Sequence, residues 1–97
     1  MSDIMEGMIY SEEALEKMRV KMQAKMNNSS VKADLSCIRR CIKHGMYEGN
    51  ILPLDIEYCL KLNKLGGVTT GKERRWLRRS IAICKEFGDV IQFEPRQ

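Results

Sequence analysis

Two prolines, a single histidine, a single tryptophan and no long apolar run are what this 97-residue chain has least of. The lone His44 lies near an expected helix end with no acidic residue placed to orient it, so a nucleophile would lack an activated base. No glycine-rich loop follows a strand, and Gly71-Lys72 lacks the glycine spacing of a phosphate-binding loop. Catalysis therefore has little to rest on, and neither an enzyme nor a cofactor is expected. No apolar stretch approaches the ~20 residues needed to cross a bilayer. The N-terminus, Met1 to Glu6, is acidic and has neither the cationic start nor the apolar run of a secretory signal. The expected location is the cytoplasm, with its four cysteines as thiols.

What is present is ordinary in bulk and uneven in detail. Apolar residues make up 43% and charged residues 31%, which suits one globular domain over residues 1–97. The formal net charge of +4 is matched by one stretch, Thr70 to Arg79, which holds five cations and one anion. Net charge climbs from −1 over residues 1–28 to +2 over 29–71 and +3 over 72–97.

Periodicity and capping residues predict four helices. Ser11, with Glu12 and Glu13 behind it, starts the first, expected to run to Asn27 with Leu15, Met18, Met22 and Met26 as a narrow apolar stripe beside Lys17, Lys21 and Lys25. Asn27 to Ser30 reads as a polar hinge, and Ser30 as the cap of a second helix from Val31 to His44. Its core stripe is Val31, Leu35, Ile38 and Ile42, and Gly45 ends it in a left-handed conformation. Pro53 suits the first turn of a third helix, whose buried face is Ile56, Cys59, Leu60 and Leu65 and whose end is Gly66-Gly67. A capping box of Thr70 and Glu73 opens the fourth, Lys72 to Phe87. That helix points Trp76, Leu77, Ser80, Ile81, Ile83, Cys84 and Phe87 inward and Arg74, Arg75, Arg78, Arg79 and Lys85 outward. The expected class is all-α: a Met-rich helical arm over 1–28, loosely attached, a basic helical core over 29–88 and an extended tail over 89–97.

Three constellations bear on function. Lys72, Arg74, Arg75, Arg78 and Arg79 could neutralise several phosphates or dock on an acidic protein patch, with Trp76 stacking on a base, covering an arginine or filling the core. The bland alternative is a solvated outer face. A helix-turn-helix reading fits poorly, because aligning Gly67 as the turn glycine puts Asn63 and Glu73 where a small and an apolar residue belong. Cys37, Cys41 and His44 share one side of the second helix and, with Cys59, make a conceivable zinc set. Buried thiols and a surface histidine are the preferred reading, with no metal. Finally, six of the seven methionines fall within the first 26 residues. A flexible Met18, Met22 and Met26 stripe can mould to a partner's groove, to a second copy or to the chain's own bundle. Val90, Ile91 and Phe93 pose the same choice, and could instead add a strand to another sheet's edge.

In this form, a short Met-rich helical chain with a basic C-terminal half and no enzyme motif, the sequence resembles the small accessory proteins of lambdoid bacteriophages, the anti-RecBCD type among them. The resemblance implies a chain that binds a host recombination nuclease and alters its action rather than doing chemistry itself. The expected function is thus a protein-binding modulator anchored by Met18, Met22 and Met26 and oriented by Arg74, Arg75, Arg78 and Arg79. The alternative is direct nucleic-acid binding by Lys72 and the same arginines.

Overall fold

The computed structural model describes residues 4–63 and 71–95. Within them the element order is β1 (Met5–Ile9), α1 (Glu12–Gln23), α2 (Asn28–Lys43), β2 (Ile51–Pro53), α3 (Ile56–Leu62), α4 (Gly71–Phe87) and β3 (Val90–Phe93). The all-α expectation is therefore wrong: four helices accompany a three-stranded antiparallel sheet in the order β2-β1-β3. Glycine, methionine and glutamate give β1 little strand propensity, and its two partners lie more than forty and more than eighty residues away, so only tertiary pairing makes it a strand. Pro53, read as the start of a helix, instead ends an edge strand, where a missing N–H costs no ladder bond. The extended tail is extended because it is β3, with Phe93 opposite Met5 and Ile91 opposite Gly7.

The helices mostly form where expected. Ser11 caps α1, its hydroxyl accepting from the Ala14 N–H at 3.0 Å. Asn27 rather than Ser30 caps α2, its side-chain oxygen accepting from the Ser30 N–H at 2.9 Å. That shift shortens the expected hinge, and α1 already ends at Gln23. Asp55 caps α3 by accepting from the Tyr58 N–H at 2.9 Å. Gly45 does take the left-handed conformation, at φ 77°. The third-helix ending at Leu65 and Gly66-Gly67, the Thr70 half of the capping box and the turn of the helix-turn-helix reading lie outside the described residues.

One core unites the layers. α2 and α4 pack most extensively, α1 lies against both, and Met8 of β1 and Leu52 of β2 face the same interior. Met18 and Met22 are buried in it with Leu15, so α1 is an integral part of the fold and not a loosely attached arm. Each such side chain contributes ~1.5–3 kcal/mol by leaving water. On the opposite face of the sheet Ile51 and Phe93 close over Gly7, where a Cβ would come within 2.6 Å of the former and 2.8 Å of the latter. No helix among the described residues is long and apolar enough to cross a membrane.

Candidate interaction surface

The α4 periodicity sets the site. Leu77, Ser80, Ile81, Cys84 and Phe87 go into the core, which leaves Lys72, Arg74, Arg75 and Arg78 on the water side, all exposed. Among the described residues none of these four has a carboxylate within ion-pair distance. Arg79 is different. Its guanidinium donates two hydrogen bonds to Asp34 of α2, Nε to Oδ1 at 3.0 Å and Nη2 to Oδ2 at 2.9 Å. The Asp34 side chain is 8% exposed, and its hydrogen bonds push the Arg79 pKa further above its usual value. Arg79, expected to meet a partner, is thus held by the chain's own acid and locks α4 to α2.

Trp76 organises the surface. It is half-buried, with the Arg40 guanidinium 5.2 Å and the Lys72 ammonium 5.6 Å from its ring centroid. The His44 ring lies tilted at 55° with centroids 5.5 Å apart. Each cation–π contact is worth ~0.5–1 kcal/mol at such exposure. The indole is therefore occupied as a clamp between α2 and α4, and its faces are not a free platform for a base. His44 Nδ1 is buried without a hydrogen-bond partner, so this histidine is packed against the indole rather than displayed.

Arg40, which sequence reasoning left out of the site, belongs to the same surface. It is exposed on α2, the helix against which α4 packs, with its guanidinium over the Trp76 ring, and it has no acidic partner among the described residues. Its four-residue spacing from His44 was a visible signal, since it puts both on one side of a helix. What was hidden was the neighbouring helix.

The remaining expected sites dissolve into the core. Met18 and Met22 are 2% and 0% exposed, and Met26 packs partly buried against the same cluster. The stripe is consumed internally and offers no anchor to a groove or to a second copy. Cys41, Cys59 and Cys84 are buried and Cys37 half-buried, all as free thiols. The Cys59 thiol donates to the Pro53 carbonyl at 3.1 Å, and Cys41 lies 3.5 Å from the Ser80 hydroxyl. Burial pushes the Cys59 and Cys84 thiols up to about 12. Among the described residues no three histidine, cysteine or acidic side chains converge to hold a metal ion, so the zinc set of Cys37, Cys41, His44 and Cys59 is not assembled. The four residues sit on two helices, with His44 turned to Trp76 and Cys59 to Pro53.

Comparison with protein-family models, curated proteins and solved structures gives no match.

Proposed function

We propose that the chain is a non-enzymatic binding protein whose basic α2–α4 face docks on an acidic protein surface and modulates the protein that carries it. One observation carries the reading: Arg40, Lys72, Arg74, Arg75 and Arg78 share two locked helices with no carboxylate to neutralise them among the described residues. Such a face speeds encounter and fixes orientation. Arginine's planar fork meets a single carboxylate with two parallel hydrogen bonds, which favours docking over a merely solvated face. The resemblance to phage accessory proteins narrows the partner to a host nucleic-acid-processing enzyme, a recombination nuclease foremost, in the host cytoplasm. Affinity no longer draws on the methionine stripe.

Direct binding to a phosphate backbone is the second reading, and the density of cations favours it. The occupied indole argues against base stacking, leaving a salt-sensitive, sequence-independent contact.

The test uses the immobilised full chain and nuclease-treated bacterial lysate, beside titration of a labelled DNA duplex at low and high salt. Docking on protein predicts a retained nuclease-resistant partner that the Arg75→Glu/Arg78→Glu variant fails to hold. Retention abolished by nuclease, with duplex affinity falling steeply in salt, would sink the protein reading. Equal capture by wild type and variant would sink both.

A further inference from the structure

The sheet has two edges of opposite character. On β2, the Ile51 N–H donates to the Glu48 carbonyl and its carbonyl accepts from the Glu48 N–H, both at 2.9 Å. Pro53 has no N–H to offer, and its carbonyl is taken by the Cys59 thiol at 3.1 Å. That edge is closed.

Among the described residues the β3 edge is open, and the hydrogen-bond phase shows where. The Leu54 N–H donates to the Glu6 carbonyl at 2.9 Å and the Tyr10 N–H to the Asn50 carbonyl at 2.6 Å, so the even-numbered residues of β1 bond toward β2. Antiparallel alternation turns Met5 and Gly7 toward β3, where they face Phe93 and Ile91. The N–H and C=O groups of Val90 and Gln92 must then point away from β1, and no backbone group among the described residues pairs with them. Both residues are exposed. An unpaired strand edge is a template for another strand.

We propose that two copies of this chain join β3 to β3, antiparallel about a two-fold axis at Ile91, to form one six-stranded sheet. The free groups are self-complementary in that register. Val90 lies opposite the partner's Gln92 and Gln92 opposite the partner's Val90, so every outward N–H meets an outward C=O. Ile91 meets its own copy at the closer, non-hydrogen-bonded position, about 4.5 Å between Cα atoms. Phe93 sits diagonally beside it, within reach of a cross-strand apolar contact. Asp89 falls opposite the partner's Phe93, so no like charges oppose. Slipping the register one residue, which moves the axis half a residue, sets outward groups against inward ones, and moving the axis to Gln92 pairs Val90 with the partner's residue 94, beyond the end of the strand. Net charge does not forbid the approach, because Arg75 lies twelve residues up α4 from Phe87, about 18 Å of helix. The interface is isologous and small, so association is weak, with half-dimerisation at roughly 0.1–1 mM.

Sedimentation equilibrium of the full chain tests this, independently of the basic face. The apparent mass should climb from 11.2 kDa toward twice that value with concentration. Gln92→Pro should weaken association at least tenfold while leaving the circular dichroism spectrum unchanged, because the N–H it removes lies outside the β1 ladder. Should that variant fail to fold, Ile91→Cys decides instead. Under oxidation it should give a disulfide-linked dimer, whereas wild type with its own cysteines and a Val20→Cys control should not. Association indifferent to Gln92→Pro, or Ile91→Cys cross-linking no faster than the control, overturns the pairing. A chain monomeric at every concentration also overturns it, and leaves the edge to another protein's strand.

Discussion

α1 and α4 are both amphipathic helices with a row of cations beside an apolar stripe, yet they end in opposite states. In α1, Lys17 pairs with Glu13, Arg19 with Glu16, and Lys21 reaches Asp89 at 3.9 Å. In α4 only Arg79 finds an acid, the buried Asp34, while Lys72, Arg74, Arg75 and Arg78 find none among the described residues. Both apolar stripes are spent on the chain's own core. What separates the two helices is where the carboxylates fall: Glu13 and Glu16 sit one turn from the cations they meet, whereas α4 has a single acid, Glu73, among its first nine residues. A row of cations marks a docking face only when the fold has no acids to spend on it.

The contrast breaks most severely at Met22. This side chain is 0% exposed, and Met22→Ala should cost ~2–5 kcal/mol through lost burial and a residual cavity. Chemical denaturation would read it as a lower midpoint at unchanged slope. If α1 were a detachable arm, the loss would be negligible and a truncation lacking it would melt like the full chain.

Next comes the one acid that α4 uses. Asp34→Asn keeps the shape but removes the anion from two charge-assisted hydrogen bonds, and should cost ~1–3 kcal/mol. Arg79→Gln should cost more, since it leaves the Asp34 carboxylate, only 8% exposed, without its cation, whereas the Arg79 side chain left behind by Asp34→Asn is 53% exposed and can turn to water. Measured stabilities of the two single variants and the double variant should show coupling, as expected for groups in direct contact. Additive losses would mean that the pair does not hold α4 to α2.

How much of this was legible depended on the range of the interaction. The caps at Ser11 and Asp55, the left-handed Gly45 and the inward face of α4 are short-range facts, decided within a few residues by hydrogen-bond geometry and period. Ser11, Gly45 and the α4 face are readable from the chain, and Asp55 stood beside a proline that drew the helix start two residues early. β1 was invisible because Met5 to Ile9 has no strand pattern of its own, and β3 reads as extended, or as a strand for another sheet's edge, because its true partner β1 lies more than eighty residues away. The surface was half legible. The exposure of Arg74, Arg75 and Arg78 follows from helical phase, but the capture of Arg79 by Asp34, 45 residues away, does not. Nor does the use of Trp76 as a clamp by Arg40. Methionines misled for a related reason: spacing reveals a stripe without revealing what covers it, and here α2 and α4 supply the cover.

The smallest expected effect sharpens the comparison furthest. Arg75→Gln and Arg78→Gln remove two exposed cations that touch no acid among the described residues, so stability should stay within about 0.5 kcal/mol of wild type. A slight gain is consistent with the physics, because neighbouring cations at three- and four-residue spacing repel one another along a helix. Thermal melts at low and at high salt separate the two contributions, since salt screens the repulsion and should erase any gain. A clear loss of stability would mean that these arginines are structural, like Arg79, and the distinction drawn between the two helices would fail. Stability held constant while the nuclease-resistant partner is lost would place their role outside the fold, which is where four cations without a carboxylate partner among the described residues have their effect.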